Sequence, residues 1–193
     1  MNKKVILHLS ADPVMSEIIK RYGLFDWRAS GNLFEDLISA IVGQQLSVKA
    51  AASIWKRFED LIGEVNPENV LSKSHDQLRG VGLSNSKVKY IQGVANSGFD
   101  FERISKLSDE EVMKELISLK GVGPWTVEMI LIFTLGREDI FSIGDLGLRN
   151  AVSKNYGVDR DDLDEILKIS QKWSPYRSYA SRYLWKSLDN APK

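Results

Sequence analysis

Apolar side chains recur along this chain at intervals of three and four, and strictly alternating runs are nearly absent, so the pattern predicts an all-α protein. From Asn32, the residues Leu33, Phe34, Leu37, Ile38 and Ile41 share one helical face, and the stretch stops near Gly43. After the polar break Gln44-Gln45-Leu46, Ser47 can N-cap a second helix through Phe58. Pro67 opens a short helix, Ser84 caps one running toward Ser97, and Ser108 with Glu111 has capping-box spacing ahead of Val112, Leu116 and Ile117. Pro124 opens the next, reaching to Leu135, and Asp139 to Gly144 reads as a loop with some extended character. Asp145 then starts a helix to Tyr156, Asp159 starts another, and Pro175 opens a last amphipathic one through Leu188. These signals predict about ten helices.

Composition narrows the chemistry. At 193 residues the chain can hold one compact domain or two small lobes. Its 43% hydrophobic and 27% charged residues are ordinary for a water-soluble fold, and no apolar run approaches the roughly 20 residues that span a bilayer. The N-terminus shows no cleavage site behind its short apolar stretch, so a cytoplasmic, nucleoid-associated location is expected, or a nuclear one in a eukaryote. The absence of cysteine excludes disulfides, thiolate zinc sites, iron–sulfur clusters and thiol nucleophiles; two histidines, His8 and His75, argue against a multi-histidine metal site. With 26 basic and 26 acidic side chains, bulk charge gives no pull toward nucleic acid, and any binding of DNA must use segregated charge and backbone dipoles. The acidic run Asp159 to Glu165 suits the first turn of a helix. Leu78-Arg79-Gly80-Val81-Gly82 and Leu119-Lys120-Gly121-Val122-Gly123 echo one another, but two short matches do not make a repeat array.

The second of these strings carries the chemistry. Leu119-Lys120-Gly121-Val122-Gly123-Pro124-Trp125-Thr126 sets two glycines between a helix that ends and a helix that starts. Glycines permit the positive φ of a tight reversal, and their missing side chains let a phosphate approach the amides of the following helix. An ordinary glycine-capped turn has the same bare Gly-x-Gly. With Ile143-Gly144-Asp145 some twenty residues on, however, the string resembles the helix-hairpin-helix and Gly/Pro-Asp signature of DNA base-excision glycosylases. The likeness extends to Ile41-Val42-Gly43-Gln44-Gln45-Leu46-Ser47 and to Trp173-Ser174-Pro175-Tyr176-Arg177-Ser178-Tyr179-Ala180, both similar to the 3-methyladenine DNA glycosylase II (AlkA-like) branch. It covers most of the chain from residue 30 onward, in the compact form that lacks an N-terminal sheet domain.

The resemblance implies two helical lobes with a cleft between them in a single glycosylase core of residues 1–193. Residues 32–138 would form the central lobe, and 1–31 with 139–193 the second. It places Asp145 as the catalytic carboxylate, while the helix pattern alone makes Asp145 an N-cap; the two readings are compatible. Where lyase-competent branches carry a lysine nucleophile, this chain has Trp125, which implies water as nucleophile and a monofunctional enzyme. Trp125 and Trp185 match pocket aromatics, and Met129 stands where the family has a third; either tryptophan could instead be plain core. Gln45 matches the residue that plugs the duplex, with Leu46 the alternative one register on.

For the DNA backbone the resemblance suggests Lys120, Gly121, Gly123, Thr126 and Ser47, with Lys49, Lys87, Arg149 and Arg182 as further phosphate neighbours. Tyr176, Arg177 and Tyr179 serve either the site or packing between lobes. The partner implied is damaged double-stranded DNA, bound by a monomer with no cofactor or metal beyond a monovalent cation that the hairpin carbonyls could hold. The expected function is hydrolytic excision of alkylated bases such as 3-methyladenine and 7-methylguanine. Three alternatives remain open: a glycosylase for deaminated or oxidised purines, a non-catalytic helix-hairpin-helix DNA-binding module and, more remotely, a structural helical protein with a fortuitous hairpin.

Overall fold

The computed structural model describes residues 3–25 and 28–188, and among them it contains thirteen α-helices, one π-helical turn and no strand. In order these are α1 (Lys3–Leu9), α2 (Pro13–Tyr22), α3 (Leu33–Gly43), α4 (Val48–Ile62), α5 (Pro67–Leu71), α6 (His75–Gly80) and α7 (Asn85–Ala95). They are followed by α8 (Phe101–Ile104), α9 (Asp109–Ile117), α10 (Pro124–Met129), the π-helical turn Ile130–Thr134, α11 (Leu146–Tyr156), α12 (Leu163–Gln171) and α13 (Arg177–Leu188). No helix among the described residues is long and apolar enough to cross a membrane. The chain packs as two compact units, one formed by Ser30–Ile130 and the other by the described residues of Met1–Ala29 and Leu131–Lys193.

In the Ser30–Ile130 unit, α3 is the central element. Leu37, Ile38, Ile41 and Val42 are fully buried on it, and α4, α7 and α8 pack around it. Its start is set by Asn32, whose side chain accepts from Glu35 N–H, and α4 starts at Ser47, whose hydroxyl accepts from Ala50 N–H. The helix α4 runs four residues past Phe58 because Ile62 is also buried, and it stops at Gly63, whose φ of 76° no side-chain-bearing residue adopts readily. Ser84 caps α7, and Ser108 with Glu111 forms the full reciprocal capping box at α9. The box at Ser74 and Gln77 starts α6, which the apolar pattern does not reveal.

In the second unit, α13 packs against α11 and α2, and Leu148, Ala151, Val152, Ala180, Tyr183 and Leu184 are fully buried between them. Burying each large apolar side chain contributes about 1.5 to 3 kcal/mol. One carboxylate lies inside this core. Asp12 N-caps α2 and also accepts from Tyr156 Oη–H (3.0 Å) and Trp173 Nε1–H (3.3 Å), so it ties three segments together. Burial, then the charge of Asp12, pushes the Tyr156 phenol far above its ordinary range.

Two helix starts differ from the sequence expectation. The helix expected from Asp159 begins at Leu163, because Asp162 supplies the cap to Glu165 N–H. The last helix begins at Arg177 rather than at Pro175, since Tyr176 N–H closes a turn on Trp173 O (2.7 Å). The segment from Asp139 to Gly144 is a loop, as the sequence reads, and it is pinned by Ser174 and Arg177.

Candidate active site

Asp145 is the N-cap of α11, with extended backbone (φ −77°, ψ 113°), and its Oδ1 accepts from Leu148 N–H at 2.6 Å. The same oxygen accepts from Trp185 Nε1–H at 2.9 Å, across forty residues of sequence. The cap and the aromatic partnership therefore coexist on one carboxylate. Gly147 makes room for this pair: a Cβ there would stand 3.1 Å from Asp145 Oδ1 and 3.6 Å from the Trp185 indole. The Trp185 ring is half-buried, tilted 31° against Phe133 at 5.8 Å. Phe133 in turn receives the Arg182 guanidinium over its face at 5.2 Å, as does Phe25 at 5.2 Å.

The loop that delivers Asp145 is anchored by a polar clamp. Arg177 donates from Nε to Asp139 Oδ1 (2.8 Å) and from Nη2 to Oδ2 (3.1 Å), and Ser174 adds its hydroxyl to Oδ2 (2.8 Å). Burial pushes the Asp139 carboxyl up, but the Arg177 and Ser174 hydrogen bonds outweigh it and hold the group below the usual carboxylate range. Ser178 N–H and Oγ meet Glu138 O and the Ile140 backbone, and Tyr179 Oη–H donates to Glu138 at 2.8 Å. Arg177 and Tyr179 thus act here as scaffold for the loop, and Tyr176 packs edge-on against His8.

In the Ser30–Ile130 unit, a concavity of about 560 Å³ is lined by Ala40, Gly43, Gln44, Gln45, Leu46, Trp125, Thr126 and Met129. The expected pocket residues Trp125 and Met129 therefore share one hollow with the expected wedge residues Gln45 and Leu46. Trp125 is 47% exposed and not core. Gln45 is exposed and has φ 57°, the only positive φ outside glycine among the described residues. At the hairpin, Gly121 has φ 92° and a Cβ on it would overlap the Tyr90 ring, whereas Gly123 has open space around it and N-caps α10. The first-turn amides of α10 have no carbonyl to bond within their own helix. In the echoing string it is Gly82, not Gly80, that has positive φ (105°), and Arg57 Nε donates to Val81 O, so the two turns are not geometric copies.

Several of the expected phosphate neighbours have partners within the protein. Thr126 is buried (4% exposed). Lys87 turns its ammonium to the carbonyls of Val42 and Gln44. Arg149 donates to Asp161 Oδ1 (3.1 Å), and Arg182 lies over two phenyl rings with its guanidinium pKa lowered by burial. Lys120 and Lys49 are exposed, and Ser47 uses its oxygen as the α4 cap. Among the described residues, no three His, Asp or Glu side chains cluster as a metal site would require. Local signals do not reveal the Asp139 clamp, the Lys87 contacts or Phe133 beside Trp185, because every partner is distant in sequence.

Across 199 aligned positions the chain is 31% identical to DNA-3-methyladenine glycosylase 1 of Schizosaccharomyces pombe, covering 95% of this chain and 86% of that protein. It is 32% identical over 198 positions to a DNA-3-methyladenine glycosylase of Bacillus subtilis, covering 92% of this chain but 64% of that longer protein. Another Bacillus subtilis relative is spanned over 60% of its length. The solved structure of the Schizosaccharomyces pombe 3-methyladenine DNA glycosylase in complex with abasic DNA matches with a TM-score of 0.85 and 31% identity, over 98% of each chain. Residues 38–175, which hold the 44–46 turn, the hairpin, Asp145 and the Asp139 clamp residue Ser174, match the family profile, and the chain belongs to the HhH-GPD superfamily of base excision DNA repair proteins.

Proposed function

We propose that this protein is a monofunctional DNA glycosylase that everts alkylated bases from duplex DNA and hydrolyses their N-glycosidic bonds, acting as a monomer. The observation that carries the reading is the carboxylate of Asp145, which lies within the matched family region and is oriented by both Leu148 N–H and the indole N–H of Trp185, ten residues beyond that region. When the bond from C1′ to the base nitrogen breaks, its electron pair leaves with the base and positive charge builds on the sugar. An ionised carboxylate beside C1′ stabilises that charge and takes a proton from the attacking water. Trp125 offers no amine at the lysine position, so water is the nucleophile. A ring-alkylated purine is cationic, and an exposed indole face such as that of Trp125 attracts it by about 0.5 to 2 kcal/mol more than a neutral base.

Gln45, exposed at the rim of the hollow, is the residue proposed to occupy the space that the everted base vacates. The Gly121–Gly123 turn and the start of α10 receive a backbone phosphate, with Lys120 as its cationic neighbour. The hairpin offers a cation only carbonyl oxygens, and Leu119 O and Gly121 O already accept from Val122 N–H and Gln44 Nε2–H. The residues present do not single out a cation site, and no step is routed through one.

The test is mass-spectrometric identification of bases released from duplexes carrying 3-methyladenine, 7-methylguanine, hypoxanthine or 8-oxoguanine, with parallel borohydride trapping. Release of the two methylated bases without a covalent adduct is expected. Release confined to 8-oxoguanine would refute the alkylation assignment, and a trapped adduct would refute the monofunctional one.

A further inference from the structure

The helix α7 holds two of the proposed DNA-facing elements to each other. Lys87 Nζ donates to Val42 O (2.7 Å) and Gln44 O (2.6 Å), the carbonyls at the C-terminal end of α3 and the start of the turn that follows. Gln44 reaches onward and donates from Nε2 to Gly121 O in the hairpin (2.9 Å). Tyr90, one turn after Lys87 on the same face of α7, lies against Gly121 where any Cβ would overlap its ring. The contacts close a circuit from α7 to the 44–46 turn, to the hairpin, and back to α7.

Inside that circuit stands Gln45 at φ 57°, a conformation an L residue keeps only where its surroundings over-determine it. The cation suits its place, since the C-terminal end of a helix attracts positive charge and its last carbonyls lack intrahelical donors. Burial lowers the Lys87 pKa, as expected of an ammonium facing protein carbonyls instead of solvent.

We infer that Lys87 is a positioning residue for base extrusion: its ammonium sets the 44–46 turn, and with Gln44 it locks the aim of Gln45 to the position of the phosphate-binding hairpin. This rests on the reading of Gln45 as the residue that enters the duplex. A general scaffold lysine would affect every substrate alike, whereas a residue that aims the wedge matters only where a base must be pulled from a pair.

Hydrogen exchange on the free protein reads the brace without reference to activity. The amides of Gln44 and Leu46 are bonded to Ile41 O and Gly43 O, and in K87M they should exchange at least tenfold faster while Val112 on α9 is unchanged. Unaltered exchange at 44 and 46 would overturn the proposal. On DNA, K87M should slow single-turnover release tenfold or more from a lesion in a base pair and less than twofold from the same lesion in an unpaired bulge, and K87R should restore the paired rate. Equal losses on both substrates would overturn it. If K87M does not fold, Q44L, which removes only the side-chain tie to Gly121, should show the same selectivity for the paired lesion, and wild-type behaviour of Q44L would overturn the proposal. Wild-type protein that released no base from either duplex would sink the glycosylase reading, and the exchange rates would still decide the brace.

Discussion

Replacing Trp185 by phenylalanine separates the two roles its indole can have. The change deletes one hydrogen bond, Nε1–H to Asp145 Oδ1 at 2.9 Å, and keeps an aromatic ring beside Phe133. A hydrogen bond to a charged group contributes about 1.5 to 3 kcal/mol. Asp145 Oδ1 retains Leu148 N–H at 2.6 Å, so the carboxylate stays oriented in part and the lower end of that range applies. At about 1.4 kcal/mol per factor of ten, W185F should lose roughly tenfold in rate. The assay is single-turnover release of 7-methylguanine and of hypoxanthine at saturating enzyme. Because the lost bond acts on the carboxylate and not on the base, both rates should fall by the same factor, with the half-saturating enzyme concentration unchanged. A loss confined to the cationic base would mean that Trp185 acts only as a stacking face, and unchanged rates would refute any contribution of the bond to the reaction.

The Asp139 clamp links stability to acid. Its folded pKa lies below the unfolded value, so its stabilisation is complete above the unfolded pKa and is lost as pH falls through the lower folded one. Chemical melts from pH 5 downward should therefore show a stability loss that D139N lacks, with D139N less stable by about 1 to 2 kcal/mol at neutral pH; parallel pH curves for both proteins would contradict this. The two hairpin glycines should respond in opposite ways. G121A meets the Tyr90 ring at φ 92° and should cost more than about 1 kcal/mol of stability, roughly 2 to 4 °C in melting temperature. G123A meets open space at φ −105°, so it should melt like wild type yet bind abasic-site DNA more weakly, because its Cβ holds a phosphate away; unaltered binding would count against the hairpin's assigned role.

Helices whose starts are encoded within four residues are legible from sequence. Ser47, Ser84, Ser108 and Asp145 each cap where the pattern places them, because the capping hydrogen bond is local. The helix α2 carries both kinds of signal, Asp12 before Pro13 and Met15, Ile18, Ile19 and Tyr22 at helical spacing, whereas α6 has the local pair Ser74 and Gln77 but no apolar period. The Asp159 to Glu165 run offers several carboxylates as caps, and only tertiary packing of Ile166 and Ile169 selects Asp162. The continuation of α10 as a π-helical turn leaves no mark in the periodicity.

In the site, the identities of Asp145, Trp125 and Trp185 come from motif resemblance, but the bond between Trp185 and Asp145 spans forty residues and has no local signal. The same holds for the redirected cations. Lys87, Arg149 and Arg182 look like surface charges in sequence, and only the fold gives them carbonyls, a carboxylate or aromatic faces to meet. Thr126 illustrates the converse: its place in the motif suggests a phosphate contact, while its place on α10 buries it.

The central claim is that the Asp145 carboxylate performs chemistry as well as capping α11, and the substitution D145N isolates the first role. Asparagine caps helices about as well as aspartate, so the fold and the start of α11 are retained while the negative charge is removed. Release of 7-methylguanine from duplex DNA by D145N should fall at least about 100-fold, with affinity for abasic-site DNA within roughly threefold of wild type. Release by a folded D145N at roughly the wild-type rate would show that the carboxylate only caps the helix, and the proposed mechanism would be wrong.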